Sequence, residues 1–348
     1  MKRTTYITLF ALICAFLPIS VAAGCYRFFY EQLTDEEKLI YDAFAKCDDL
    51  LQVTKENALV VPVSGNGTAI VTLDDYNNGQ WHPKSASVYS QLDVSRVRAL
   101  DAFALDDSEN YWIAGNDGVV NFSFDFVNAS DTRSKKAPVR VSVSDMVISP
   151  YPYYEEIKKE TAAVAAALDK MEDALAGKLS VAGSRYDSVR IIHDGVAALA
   201  TYDWKNVIFG HTLTGILLEK YGHKSVCDGY AKLLKLLCDR FDIPCIKVTG
   251  VAKIMKVKEK TMVEGPHIWN NVLMDDGRWY LVDVTWDDMM TETSGKLCSD
   301  YFLAGMDDVD CFGMTIASHY RSTGVMSGGA PYKRFSLPVV SKRGYRPK

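Results

Sequence analysis

The chain has 348 residues, 48% of them hydrophobic, enough to bury large cores and long enough to suggest two domains. Its 39 basic and 44 acidic side chains leave a net charge of −5, which gives no reason to expect nucleic acid as a partner. Lys253, Lys256, Lys258 and Lys260 form a local basic run, read as a solvated loop or hairpin tip.

Lys2 and Arg3 precede an apolar run from Tyr6 to Leu17, then Pro18 and the small residues Val21, Ala22, Ala23 and Gly24. These are the three parts of a secretory signal over residues 1–24, so the expectation is an exported protein, extracellular or held at the cell envelope. Three mature forms stay open. The signal is cleaved; or Cys25 is lipidated, since Ala22-Ala23-Gly24-Cys25 resembles a bacterial lipobox with Ala22 in place of the usual leucine; or Tyr6 to Ala23, which approaches spanning length, stays as an anchor. Contact with a membrane is expected only through this signal, anchor or lipid.

Residues 25–150 read as a smaller α+β accessory domain. Gln32 to Cys47 is a helix capped by Thr34, with Leu39, Ile40, Ala43 and Phe44 inward. Leu59 to Val63 and Thr68 to Leu73 are strands on either side of a Ser-Gly-Asn-Gly turn. Asp74 to Gly79 tempts as a calcium loop, but Tyr76 stands where a ligand oxygen is required, so a plain turn is expected. Leu92 to Phe103 is a second helix through Val94, Val97, Leu100 and Phe103, followed by the acidic block Asp106 to Ile113. Val120, Phe122, Phe124 and Phe126 alternate, as do Val139, Val141 and Val143, giving two half-buried strands joined through Asp131 to Lys136.

Residues 151–325 hold the chemistry. Tyr154 to Ala176 is a long helix with the stripe Ile157, Thr161, Val164, Leu168, Met171 and Leu175, stopped by Gly177. Tyr186 to Ala200 is another, with Val189, Ile192, Val196 and Leu199 inward; His193 beside Asp194 reads as a packed, hydrogen-bonded histidine. Tyr202, Asp203 and Trp204 read as structural. His82, His211, His223 and His319 have no partner that the sequence names, although His211 and His223 stand close ahead of the next helix and could line a cleft.

That helix, Ser225 to Phe241, repeats Tyr230, Leu233, Leu234, Leu237 and Phe241 at helical spacing. Ser225 and Asp228 form a capping-box pattern, which puts Cys227 in the first turn, where the helix dipole and unpaired N–H groups favour thiolate. Gly229 leaves the chain bare beside the sulfur, room for a substrate backbone. Cys227 is therefore a candidate nucleophile, and a nucleophile needs a base and an orienting group. Pro266 to Asp287 supplies both in a hairpin turning at Asp275-Asp276-Gly277. One face of its first strand carries His267, Trp269, Asn271 and Leu273, and one face of the second Trp279, Leu281, Asp283 and Thr285. His267 and Asp283 share a face only if the loop has three residues, with Gly277 left-handed, or if a bulge restores the parity.

V-C-D-G-Y-A at Val226, I-P-C-I-K-V-T-G at Ile243, H-I-W-N-N-V at His267 and W-Y-L-V-D-V-T-W-D-D at Trp279 resemble the core of bacterial transglutaminase-like proteins, over roughly Asp187 to Ala304. The resemblance implies a papain-like fold with the cysteine helix packed on an antiparallel sheet. It also implies a triad of Cys227, His267 and Asp283 acting through an acyl-thioester. The same scaffold hosts crosslinking, proteolysis, deamidation and acyl transfer, so the reaction class stays open between peptidase or amidase and transglutaminase. A non-catalytic envelope protein that binds peptides is the alternative. The partner expected is a peptide or protein substrate, cell-wall peptides among them. No cofactor, metal site or nucleotide loop is expected.

Cys238 and Cys245 read as small buried residues, and a Cys298–Cys311 bridge stays open in an oxidising compartment. Tyr301 to Ala304 resembles a short strand that follows the triad in relatives. Residues 326–348 are rich in Lys and Arg and read as a frayed cationic tail.

Overall fold

A computed structural model of the chain describes residues 26–35, 37–38, 41–42, 59–62, 68–72, 98–99, 101–107, 118–128, 134–148, 154–205, 208–256, 261–294, 298–311, 313–320 and 335–347. The signal, Cys25, Cys47, the Asp74–Gly79 turn and His82 lie outside these residues. Among them, no helix is long and apolar enough to cross a membrane.

The N-terminal part holds a sheet of β1 (Leu59–Pro62), β2 (Thr68–Thr72), β3 (Gly118–Phe126) and β4 (Pro138–Ile148). The long β4 is its spine. β3 runs antiparallel along β4, with a register shift at Asn121/Phe122, while β1 and β2 pair with the two ends of β4 rather than with each other.

Ahead of this sheet, Thr34 and Glu37 exchange the two bonds of a capping box: Glu37 N–H donates to Thr34 Oγ1 (3.3 Å) and Thr34 N–H to the Glu37 carboxylate (2.9 Å). The acidic block after the second helix has a mechanical use. Asp106, fully buried, accepts the backbone N–H groups of Phe29 (3.0 Å) and Tyr30 (2.9 Å). Lys247 Nζ donates to the Asp107 carbonyl (3.0 Å). Burial, against those hydrogen bonds and the charges of Lys235 and Lys247, raises the Asp106 carboxyl to about 7.

The second part is built around one buried helix. Helices α1 (Tyr154–Lys159), α2 (Thr161–Leu179) and α3 (Arg185–Leu199) lead to the short α4 (Leu213–Leu217), then α5 (Cys227–Arg240). The expected single helix from Tyr154 is divided by a turn at Glu160, and it does not stop at Gly177. That glycine is helical, a side chain there would meet nothing within 4 Å, and the helix runs on to Leu179. α3 opens where Ser184 Oγ accepts the Asp187 N–H.

α5 is buried from Gly229 to Asp239 and packs on β7 (Cys245–Lys256) and β8 (Thr261–Leu273) and against α3, α4 and α6 (Val284–Ser294). A helix buried on every side must neutralise its own charges. It does so at i,i+4: Lys232 pairs with Asp228, and the fully buried Lys235 with Asp239. The sheet is antiparallel, ordered β10 (His319–Tyr320), β7, β8, β9 (Trp279–Val282), so the fold is α+β with the cysteine helix laid on an antiparallel sheet.

The C-terminal residues correct the expectation of a frayed tail. Residues 335–347 lie along the β9 edge: Ser341 N–H donates to the Trp279 carbonyl (2.8 Å) and Tyr345 N–H to that of Leu303 (2.9 Å), while the Tyr345 hydroxyl donates to Asp275 (2.6 Å). Phe335 is 2% exposed and packs on Phe29 and beneath the Arg98 guanidinium. Lys and Arg dominate the composition here, but Phe335, Leu337, Val340 and Tyr345 decide the packing.

Candidate active site

Cys227 is the first residue of α5, half-buried, and the chain ahead of it is clamped on two sides. β5 (Thr201–Tyr202) pairs in parallel with β6 (Lys224–Ser225), Asp203 N–H donates to the Ser225 carbonyl (2.7 Å), and Val226 N–H donates to that of Gly210 (3.0 Å). Two expectations fail here. The capping box does not form: the N-cap is Val226, in extended conformation, and Ser225 Oγ donates instead to the Gly210 and Val226 carbonyls, both at 3.1 Å. Asp228 is taken by Lys232 Nζ (2.9 Å) and faces His211 Nδ1 (3.8 Å); burial would raise its carboxyl, but the Lys232 charge and the hydrogen bonds of His211 and Lys232 outweigh it and hold it at about 2. Nor does Gly229 open the backbone to a substrate. A Cβ there would stand 2.2 Å from Ser225 Oγ and 2.8 Å from the Gly210 carbonyl, so the glycine lets α5 press against the segment that delivers its own first residue.

The hairpin that brings the histidine has the three-residue loop that parity demands. Met274 N–H donates to the Arg278 carbonyl (3.0 Å), and Gly277, at φ 75°, donates to that of Met274 (3.0 Å). His267 thus comes from the middle of β8, paired with Gly250 of β7. The second strand, however, ends at Val282, before its expected face is complete. Asp283 N–H donates to the Tyr301 carbonyl (3.0 Å), and its Oδ1 accepts the N–H of Trp286 (3.2 Å), so Asp283 caps α6 while Thr285, Trp286 and Asp287 are helical. The β-branched and aromatic run Val282-Asp283-Val284-Thr285-Trp286 reads as strand by propensity, and the capping carboxylate overrides it. Tyr301 to Ala304 meets β9 through one bridge, Leu281 to Ala304.

His267 Nε2 donates to Asp283 Oδ2 at 2.6 Å, and Cys227, at the start of α5, lies close enough to the same imidazole to favour its proton. His267 is 9% exposed and Asp283 1%. Burial alone would strip the proton from the ring; Asp283 and then Cys227 outweigh it and raise His267 to about 10. The carboxyl of Asp283 moves the opposite way. Burial opposes its charge, but His267 and His319 together hold it well below the ordinary carboxylate range.

His319 is the residue that sequence reasoning missed. From the two-residue β10, Nε2 donates to the same Asp283 Oδ2 at 2.9 Å, and its ring is boxed by Trp269, Trp286 and Tyr301. Burial, and the charge on His267, keep His319 below its ordinary value, hence a neutral donor. No signal in the chain announces it: a strand of two residues has no periodicity to read. The other histidines lie elsewhere. His211 sits beside Asp228, at the first turn of α5; His223 Nδ1 contacts the Ile216 carbonyl at 3.0 Å; His193 is buried between Asp194 (2.9 Å) and Asp287 (3.1 Å). Tyr202 has its hydroxyl raised by burial and then by the charges of Cys227 and Asp283, so the residue expected to be structural shares the field of the thiol.

Among the described residues two groups are spaced to hold a cation: His267, Asp283 and His319, and, apart from this site, Cys298, Asp300 and Cys311. In the first, both imidazoles converge on one carboxylate oxygen, an arrangement that N–H donors satisfy directly.

Residues 173–284, from α2 through Cys227 and His267 to Asp283, match the family described as the transglutaminase-like superfamily. The chain therefore carries a transglutaminase-like core. Over 73 residues, 20% of this chain, it is 36% identical to the kyphoscoliosis peptidase of Mus musculus, and over 72 residues equally identical to that of Homo sapiens; the match spans 11% of those relatives' own length. Among solved structures, a TGase is similar at a TM-score of 0.29 and 18% identity, over 48% of this chain and 44% of that one. A candidate cysteine protease from Cytophaga hutchinsonii is similar at 0.26 and 15%, over 49% and 65%.

Proposed function

We propose that this transglutaminase-like core is the catalytic unit of an exported thiol enzyme acting on amide bonds of peptides or proteins. The observation that carries the reading is the buried His267–Asp283 pair, Nε2 to Oδ2 at 2.6 Å, with Cys227 beside the same imidazole at the start of α5. The ring holds its proton, and in the proposed mechanism Cys227 acts as the thiolate partner of that imidazolium. Cys227 Sγ attacks the substrate carbonyl, and the backbone N–H of Cys227, at the start of a helix, faces the oxygen on which charge develops. His267 hands its Nδ1 proton to the leaving amine, and the acyl group stays on sulfur as a thioester. Asp283 holds the ring with Nε2 protonated throughout, and His319, through the second N–H on Oδ2, holds Asp283 in place as a positioning residue.

In the second half-reaction His267 takes a proton from the incoming nucleophile. Water serves without any further binding site, so hydrolysis is the proposed outcome; an amine in its place gives transamidation. The peptidase name of the matched relatives agrees with hydrolysis over the segment they share. The signal over residues 1–24 supports export, with Cys25 as a site for a lipid anchor, and that address makes cell-wall peptides or surface proteins the substrates within reach.

The test is incubation with a glutamine-bearing peptide, with and without an added amine, read by product mass. A hydrolysed product in both samples is expected. An amine adduct reassigns the enzyme to acyl transfer, and retention of unaltered peptide by a stoichiometric complex replaces the enzyme with a peptide-binding protein.

A further inference from the structure

We infer that Cys298 and Cys311 are the two halves of a disulfide that closes the loop behind the site. The two Sγ atoms and the Asp300 carboxylate lie within 4.8 Å of one another. Their backbones are already anchored. Cys298 N–H donates to Thr291 Oγ1 (2.9 Å) on α6, and Cys311 N–H donates to Asp300 Oδ2 (2.7 Å). Bond formation therefore asks for side-chain rotation, which the exposed Cys311 is free to make.

The loop they bracket is not idle chain. Tyr301 accepts from Asp283 N–H through its carbonyl (3.0 Å), donates its own N–H to Asp287 Oδ1 (3.0 Å), and donates its hydroxyl to Asp310 (2.7 Å), next to Cys311. A bridge at its base would fix the segment on which the position of Asp283 depends. The pairing does not rest on the reaction of Cys227.

Cys238 and Cys245 also face each other, but both are fully buried, out of reach of any oxidant. Exposure selects the other pair. The exposed Cys311 thiolate attacks a low-molecular-mass disulfide such as oxidised glutathione and releases one reduced thiol; Cys298 then displaces the second. The two cysteine thiols give up two protons and two electrons to the oxidant, whose own S–S bond is cleaved and which departs as two thiols. Desolvation, the Asp300 carboxylate and Cys298 push the Cys311 thiol up to about 12, so this exchange is slow at neutral pH and accelerates in alkali.

The test treats the full chain with oxidised glutathione, removes it, alkylates under denaturing conditions without reductant, and maps each cysteine by peptide mass. A cross-linked peptide pair holding Cys298 and Cys311, with Cys238 and Cys245 alkylated, is the expected result. Recovery of Cys298 and Cys311 as separately alkylated or glutathionylated peptides overturns the proposal. So does one chelator-removable zinc per chain that shields both thiols from the oxidant. The cross-link should raise the thermal midpoint by roughly 5 °C over the reduced chain. That rise should vanish in Cys311→Ser; a rise that survives the substitution sinks the assignment.

Discussion

Two buried histidine–aspartate pairs stand within one helical turn of each other, and only one of them faces sulfur. Asp283 and Asp287, at the start of α6, each accept from an imidazole: His267 at 2.6 Å in one pair, His193 at 3.1 Å in the other. Both rings are held above their ordinary value in spite of burial. They differ in what meets the other nitrogen. Beside His267 it is Cys227, which adds to the pull on its proton; for His193 it is the carboxylate of Asp194, at 2.9 Å. The carboxylates diverge as well. Asp283 takes two imidazole donors and the Trp286 N–H and is driven down, whereas burial wins at Asp287, which has one imidazole, the Tyr301 N–H and the unfavourable charge of Asp283. A buried His–Asp pair is thus a structural joint by default, here between α3 and α6. It becomes chemistry when the free nitrogen is given a nucleophile.

Removing the nucleophile breaks the contrast most completely. Cys227→Ala should lower kcat by about 10⁴-fold or more while leaving the circular dichroism spectrum unchanged; retained turnover would move the reaction away from this sulfur. The two carboxylates sharpen the comparison next. Asp283→Asn should cost roughly 10³–10⁴-fold in kcat, because an amide no longer sets the tautomer or holds the imidazolium. Asp287→Asn should leave kcat within a few-fold and cost about 1–3 kcal/mol of stability by denaturant unfolding, the loss of a charge-assisted joint. Equal effects on kcat from the two substitutions would show that the pairs are not distinct.

His319 gives a smaller and more specific break. His319→Phe fills the aromatic box but removes one of the two imidazole donors on Asp283, for an expected 10–100-fold loss in kcat at unchanged KM. His319→Gln, which retains an N–H, should recover part of it. A loss of the same size in both variants would assign His319 to packing alone.

The distribution of what could be read in advance follows from physics. His267 was placed by the parity of a long strand, and the three-residue loop at Asp275–Gly277 follows from that parity; Cys227 opens α5 where the helical repeat begins, while Asp283 lies just past the four-residue β9, where parity no longer applies. The conversion of Thr285 to Asp287 from strand to helix was not legible, since Asp283 acts as a cap only once Tyr301 and Trp286 surround it. His319 and the packing of residues 335–347 depend on long-range contacts made by segments too short for any pattern. Asp106 was visible as part of an acidic block, but its partners, the N–H groups of Phe29 and Tyr30, are backbone atoms and leave no mark on sequence.

The pH dependence gives the mildest separation of the two joints and needs no loss of the wild-type groups. His267 is raised from 6.5 to about 10, first against burial and then by Asp283 and Cys227. A histidine raised in the folded state contributes stability that is complete below 6.5 and is lost as pH climbs through about 10. The proposed mechanism needs the His267 proton, so the alkaline limb of kcat/KM should fall near pH 10 instead of near the ordinary histidine value. His193 is raised too, and its proton also stabilises the fold on the acid side, but that titration reaches no reacting atom. In Asp283→Asn the residual activity should therefore show its alkaline limb moved down toward 6.5, because the charge that outweighed burial is gone. In Asp287→Asn the limb should stay where it was while the thermal midpoint drops. A wild-type limb near 6.5 would mean that Asp283 does not hold the proton on His267, and the two joints would then differ only in their neighbours.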